Sequence, residues 1–238
     1  MIASWQIVIT SRDNEKLRLI RKLGEGKHRR RERLFVAEGE DLIAAAELAG
    51  APARFVLWAG EDVEPALLNE VSTLGSGTRV IGVYPVLDRS SDGGDRVNLF
   101  GVADPANVGA IIRTTHALSR RAVALGAGCA DPYSPKAVRA SMGSIFAVTV
   151  VRGDLGDSPP PIVGLVARGG EPPDDEPVAS LCLGGERDGL PGDVIKRCDR
   201  LWTIPLVEGG AESLNVAAAA AVALGRISSA APQEGADG

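Results

Sequence analysis

Histidine and cysteine are scarce in this chain, and their arrangement excludes several kinds of chemistry. The two histidines, His28 and His116, and the three cysteines, Cys129, Cys182 and Cys198, show neither a CxxC pair nor any metal-ligand spacing. A disulfide framework and a zinc site are thereby excluded, no metal is expected, and buried thiols in a reducing cytosol are the expected setting. His28 sits in a basic run and is expected to be solvated; His116 is expected to serve packing or a dimer contact. No apolar run approaches the roughly 20 residues needed to cross a bilayer. The opening MIASWQIVIT lacks the basic leader and the apolar stretch of a secretory signal. The expectation is a soluble, cytoplasmic protein with no membrane partner. Two further signatures are missing, the GxGxxG dinucleotide fingerprint and the GxxxxGK[ST] phosphate loop, and GEGK at 24–27 is too short to be the latter.

What is present is an ordinary globular composition, 45% hydrophobic and 24% charged over 238 residues, enough for one large or two small domains. The net charge of -5 gives no hint of a polyanionic partner, but its distribution does. Residues 1–36 hold ten basic against four acidic side chains, a local charge of about +6 in an acidic protein. KHRRRER at 27–33 is the densest part of that segment, and Lys27, Arg29, Arg30, Arg31 and Arg33 are the candidate contacts to a polyanion. A solvated face is the plainer reading of such a run.

Along the chain, Leu17, Ile20 and Leu23 recur at helical spacing with basic residues between them, which predicts an amphipathic helix over 11–23. A strand and a helix ended by Gly50 follow, then strands at 54–60 and 79–84 around a helix at 65–74. This alternation implies a small α/β domain. DRSSDGGD at 88–95 is polar and glycine-bearing, and a domain boundary is expected there. Beyond it strands and helices alternate again to a final alanine-rich helix, which argues for a mainly parallel sheet covered on both faces. Residues 228–238 read as a disordered tail.

Three stretches could carry chemistry. FGVADPANVGAIIRTTHA (100–117) ends a strand and turns into a helix, with Gly109 allowing close approach of backbone and Asn107 and Arg113 expected to share a face. SLCLGGERDGLP (180–191) ends another strand in a glycine loop carrying Glu186. IPLVEGGAESLNVAAAAAVAL (204–224) runs through Gly209 and Gly210 to Ser213, the expected N-cap, and Asn215 at the start of the last helix. Taken singly, each is equally well a capped helix or a tight turn.

Together, the three resemble the signature motifs of the SpoU (TrmH-like) family of RNA ribose 2'-O-methyltransferases: DPANVGAIIRT, LGGERDGLP and IPLVEGGAESLNVAAAAAVAL, in the family's order. RASMGSIFAV (139–148) is similar to the segment between the first two motifs. SRDNEKLRLIRKL followed by LFVAEGEDLI is similar to a ribosomal-protein-like RNA-binding domain. The resemblance implies a substrate RNA-binding domain at 1–90 and an α/β methyltransferase domain at 95–227, whose C-terminal segment forms a trefoil knot. It also implies a homodimer with the active site near the subunit interface, and S-adenosylmethionine as cofactor. The substrate is expected to be ribosomal RNA of the 23S type, with transfer RNA the alternative. A non-catalytic RNA-binding protein of the same fold is a rival reading, and a nicotinamide-dependent enzyme is disfavoured by the missing fingerprint.

By the same resemblance Asn107, Arg113, Glu186, Ser213 and Asn215 fall on catalytic positions. Leu183, Gly184, Gly185, Ile204, Leu206, Ser213, Leu214 and Asn215 fall on the cofactor pocket. The family proposal makes the motif arginine, here Arg113, the general base. Guanidinium, with a pKa above about 12, rarely releases its proton, so holding an RNA phosphate and stabilising the developing alkoxide fits its chemistry better. One departure stands out: many members have a glycine directly after the second-motif glutamate, whereas here Arg187 and Asp188 intervene before Gly189. A differently shaped loop is expected there.

Overall fold

The computed structural model describes residues 8–74, 77–87 and 93–230. In the N-terminal part α1 (Glu15–Leu23) is capped by Asn14, whose side chain accepts from the Lys16 backbone N–H, and buries Leu17, Ile20 and Leu23 as their spacing predicts. The basic run is itself a helix, α2 (Gly26–Glu32). It ends at Arg33 in a left-handed conformation, φ 53°, which turns the chain into β1 (Leu34–Glu38). Then come α3 (Glu40–Leu48), β2 (Phe55–Trp58), α4 (Pro65–Val71) and β3 (Val80–Pro85). Both β1 and β2 pair antiparallel with β3, giving the order β1-β3-β2.

Strand period sorts these residues onto two faces. Leu34, Val36, Ile81 and Val83 turn toward α1 and α4 and close a small core of their own. Phe35, Ala37, Val80 and Tyr84 face the other way and join the main core of the chain. There the rings of Phe35 and Tyr84 meet Phe146, with centroids 5.6 and 4.9 Å away, and Phe35 meets Tyr133 at 4.9 Å. The main core therefore crosses the break expected at 88–95, a linker whose residues 88–92 lie outside the described residues.

The second part is a six-stranded, wholly parallel sheet. Its elements are β4 (Arg96–Phe100), α5 (Pro105–Leu118), β5 (Ala122–Leu125), α6 (Pro135–Ala140), β6 (Val150–Arg152), β7 (Ile162–Leu165), β8 (Ser180–Gly184), α7 (Gly192–Ile195), β9 (Arg200–Trp202) and α8 (Val216–Ala230). The order β6-β5-β4-β8-β7-β9 sets β4 beside β8 at the centre although their sequences lie far apart. One face of the sheet carries Val97, Leu99, Leu181 and Leu183 into the main core with α5 and α8; the other closes over Phe100, Cys182, Leu190 and Val194. Both faces are covered, as the alternation of elements implies.

The run after α6 forms a 3-10 turn, Ser144–Phe146, before β6 begins. The end of the chain differs from the sequence reading. Residues 228–230 complete the last turn of α8 and do not start a tail; the rest of that tail, 231–238, lies outside the described residues.

Candidate active site

The loops that follow β4, β5 and β8 lie glycine on glycine across the carboxyl edge of the sheet, where open α/β folds bind ligands. The Gly101 N–H donates to the Ala127 carbonyl at 2.9 Å, and a side chain at Gly128 would come within 3.1 Å of the Gly101 Cα. A Cβ at Gly185 would sit 2.4 Å from the Gly101 carbonyl oxygen, and one at Gly184 2.1 Å from the backbone of Gly189. These glycines thus make room for neighbouring backbone. Gly189, φ 65°, folds the loop back onto Gly185, its N–H donating to the Gly185 carbonyl at 3.0 Å, so Arg187 and Asp188 form the tip of a closed turn. Gly109 is of the same kind: a side chain there would strike the Ala137 carbonyl at 2.3 Å, so its close approach is to α6.

Into this edge the three motifs each send one polar side chain. The Asn107 Nδ2 donates to Glu186 Oε1, and Asn215 Nδ2 donates to Asn107 Oδ1 at 3.1 Å. Asn215 Oδ1 in turn accepts from the Ala217 backbone N–H at 2.9 Å, so Asn215, not Ser213, caps α8. The direction of this chain is fixed by chemistry. A carboxylate only accepts, which forces the Asn107 amide nitrogen toward Glu186 and its oxygen toward Asn215. One rotamer sense satisfies all three residues, and the Asn107 amide is held at both ends.

Asp104 sets the start of α5. Its Oδ1 accepts from the Ala106 N–H at 2.8 Å and from Lys136 Nζ at 2.8 Å. The Lys136 ammonium first, and the Ala106 N–H second, hold this carboxyl below the usual carboxylate range. Pro105 occupies the first helical position, where its missing N–H costs nothing.

Beside the polar chain lies a pocket of about 360 Å³. Seven of the expected cofactor residues line it: Leu183, Gly184, Gly185, Ile204, Leu206, Ser213 and Leu214; Asn215 stands next to it in the hydrogen-bonded chain. Glu186 is at its mouth. Among the lining residues that the sequence reading did not name are Leu165 to Arg168, at and just after the end of β7, and Leu190, Ile195, Val216 and Ala219. The signal for Leu165 to Arg168 was available: IVGLVA ends a strand, and strand carboxyl ends gather ligands in such sheets. The volume is within the usual range for small-molecule sites, and apolar walls with a few polar groups at the mouth suit a flat heterocycle joined to a charged tail. The residues present therefore fit S-adenosylmethionine.

Arg113 is placed differently from the expectation. It lies six residues beyond Asn107 on the unbroken helix α5, about 120° around the axis, so the two do not share a face. It is exposed. Among the basic candidates, Lys27 pairs with Glu25 at 2.8 Å and Arg31 with Glu32 at 2.7 Å. Arg29 is buried, 5% exposed, and holds Asp131 and the carbonyls of Leu23 and Gly24. It is thus a strut between α2 and the loop after β5, with no face left for an RNA phosphate. Arg30 and Arg33 border a second cavity. His28 is half-buried rather than freely solvated, and its Nδ1 is buried without a hydrogen-bond partner. His116, itself exposed, shares a hydrogen bond between its Nδ1 and Ser144 Oγ at 3.1 Å. Among the described residues no cluster of His, Cys, Asp or Glu could hold a metal, and no helix is long and apolar enough to cross a membrane.

Similarity to known proteins agrees with this geometry. The chain is 29% identical over 239 residues to the 23S rRNA (guanosine(2553)-2'-O)-methyltransferase RlmP of Bacillus subtilis (strain 168), covering 90% of this chain and 96% of that one. It is 29% identical over 259 residues to the 23S rRNA (uridine(2479)-2'-O)-methyltransferase of Streptomyces viridochromogenes, covering 91% and 90%. The crystal structure of an AdoMet-bound rRNA methyltransferase from Sinorhizobium meliloti superposes with a TM-score of 0.82 at 26% identity, over 93% of this chain and 97% of that one. The profile of the SpoU rRNA Methylase family matches residues 96–158 and 163–225, more than half of the sequence and all three motif loops, and the chain belongs to that family.

Proposed function

We propose that this protein transfers a methyl group from S-adenosylmethionine to a ribose 2'-hydroxyl of ribosomal RNA of the 23S type. The observation that carries the reading is the hydrogen-bonded chain Glu186–Asn107–Asn215, which ties the three motif loops together at the rim of an apolar pocket. The cofactor, when bound, supplies an electrophilic methyl on a sulfonium sulfur. The chain's own groups do the rest. Apolar walls from β7, β8 and the segment before α8 keep water from competing with the ribose oxygen. The doubly held Asn107 amide presents a fixed dipole at the rim, and fixed positioning supplies several kcal/mol of the barrier. Arg113 binds the RNA phosphate and stabilises the negative charge that grows on the 2'-oxygen, whose proton passes to bulk water at the open rim as the oxygen takes the methyl.

In this reading residues 1–90 serve the RNA and residues 95–227 the transfer, and the protein works in the cytoplasm as a homodimer. The exposed apolar side chains Leu206, Val207 and Val222 near the pocket and on α8 are suited to burial against a second copy. An Arg113 turned away from its own chain's polar cluster accords with delivery to the partner's pocket. A trefoil knot is also part of the reading. It is supported by β9 lying at the sheet edge while α8 packs against α5, so that residues 203–215 must return across the loops after β7 and β8.

The test begins with titration of the purified protein with S-adenosylmethionine and with NAD; the first is expected to bind and the second not. Tritiated S-adenosylmethionine is then supplied with in-vitro-transcribed 23S ribosomal RNA, and label is expected in alkali-resistant dinucleotides, the mark of a blocked 2'-hydroxyl. Arg113→Ala is expected to lower kcat by about 100-fold to 1000-fold with cofactor affinity unchanged. Near-normal turnover in that variant would remove Arg113 from the mechanism. Failure of the wild-type protein to bind S-adenosylmethionine would remove the whole reading.

A further inference from the structure

The cavity of about 410 Å³ bordered by α2 opens on the same carboxyl edge of the parallel sheet as the cofactor pocket, but beyond β5 and β6. Its rim is formed by Arg30, Arg33 and Arg152, and its floor by Leu87, Tyr133 and Val150. It therefore joins residues from both parts of the chain. The Asp131 carboxylate also lines it, but that charge is already matched by the buried Arg29, at 2.7 Å. Arg30 and Arg152 are exposed and make no ion pair among the described residues. A cavity of this make-up offers two things at once: guanidinium groups for an anion, and an apolar, partly aromatic surface for a flat ring. Inorganic phosphate would leave the floor unused, and an apolar ligand would leave the arginines unused.

The position adds the rest of the argument. β6 lies two strands from β4, about 10 Å away at the usual strand spacing. The loop after β5 is laid directly on Gly101, where the chain leaves β4 toward Asn107. An anionic chain whose ribose reaches the Asn107 rim has this cavity within reach of a near neighbour. The geometry points to a nucleotide subsite: the cavity takes one nucleotide of the substrate RNA flanking the methylated ribose, its phosphate on Arg30 and Arg152 and its base on Tyr133 and Leu87. This rests on the RNA-methyltransferase reading above. A free nucleotide carries the same chemistry, so the test has an arm for it.

The full-length protein is compared with Arg30→Ala, Arg152→Ala and, as a control for lost charge, Arg79→Ala, an exposed arginine that pairs with Glu40 outside the cavity. With 23S ribosomal RNA transcript as substrate, each cavity variant is expected to raise the KM for RNA about 10-fold while kcat and S-adenosylmethionine affinity hold. Each is also expected to flatten the dependence of log RNA affinity on log salt by about 0.7. Arg79→Ala is expected to change neither. RNA affinities and slopes of the two cavity variants that match the control would overturn the subsite. Saturable GMP binding that Arg30→Ala abolishes, with RNA affinity unchanged, would overturn the RNA assignment in favour of a free nucleotide. RNA affinity is read by fluorescence anisotropy independently of turnover, so a wild-type protein that binds no S-adenosylmethionine exposes failure of the parent reading separately.

Discussion

Arg29 and Asp131 stand 102 residues apart in sequence and meet where the arginine is 5% exposed. Asn215 and Asn107 stand 108 apart and meet at an exposed rim, with Glu186 beside them. Both contacts tie distant loops along one sheet edge, yet they are built oppositely. In the seam the Arg29 guanidinium is withdrawn from water and held by the Asp131 carboxylate and two backbone carbonyls. At the rim, neutral amides and one carboxylate stay open to solvent beside a largely apolar pocket. Water screens an exposed contact and leaves it worth little to stability, whereas a buried charge that loses its partner is costly. The difference teaches where each cluster acts: the seam holds the two parts together, and the rim is free to serve a ligand.

The strongest way to break that division is at Arg29. Arg29→Met removes one partner of a buried pair and is expected to cost about 3 to 5 kcal/mol, a fall in Tm of roughly 10 °C for a chain of this size. S-adenosylmethionine affinity of the folded protein is expected to be unchanged. Arg29→Met combined with Asp131→Leu is expected to recover much of the loss, because no unpaired charge then remains. Thermal unfolding of the three proteins checks this. An unchanged melting temperature in the single variant would show that the seam does not carry the load assigned to it.

Tyr84 tests the apolar side of the same seam. It is 2% exposed, and burial first, then the nearby Glu47 carboxylate, push its phenol up to about 12 from the usual 10. The folded state thus keeps the proton that the unfolded chain gives up. The sign follows: the contribution is fully present below pH 10 and is lost as pH rises toward 12, by about 2 to 3 kcal/mol. Urea unfolding at pH 9 and pH 11.5 is expected to show this alkaline loss in the wild type and a smaller one in Tyr84→Phe. An equal loss in both would place the alkaline titration elsewhere.

The same contrast explains what could be read from the sequence. Local signals were legible: the spacing of Leu17, Ile20 and Leu23 on α1 and the turn at 100–117 from a strand into α5 both lie within a few residues of what they specify. The motif loops were legible through family likeness, since each motif carries its polar residue, Asn107, Glu186 or Asn215, within one short contiguous stretch. What could not be read was long-range. Nothing near Arg29 distinguishes it from Arg30 and Arg31; its burial depends on Asp131, which only the folded chain brings under α2. The cap of α8 was misassigned to Ser213 because both Ser213 and Asn215 are good capping residues, and the partner that selects Asn215 is Asn107, on another helix. Arg113 was set on the wrong face by treating a separation of six residues as one turn, an error of periodicity that tertiary structure had no part in.

Asn215 allows the finest separation, because it belongs to both kinds of interaction at once. Its Oδ1 caps α8 and its Nδ2 holds Asn107. Asn215→Ala deletes both and is expected to cost about 1 kcal/mol, the worth of an exposed cap. Asn215→Asp keeps an acceptor for the Ala217 N–H, and a negative charge is favourable at a helix start, so its stability is expected to stay within about 0.5 kcal/mol of wild type. A carboxylate has no proton to donate to Asn107 Oδ1, however, and it meets that oxygen as another acceptor. The Asn107 amide is then free to turn, and methyl transfer to 23S ribosomal RNA is expected to fall about 10-fold although the helix is intact. Comparing melting temperature with turnover for the two variants separates the cap from the rim. If Asn215→Asp kept full turnover, the exposed cluster would be no more than a device for starting a helix, and its contrast with the seam would lose its meaning.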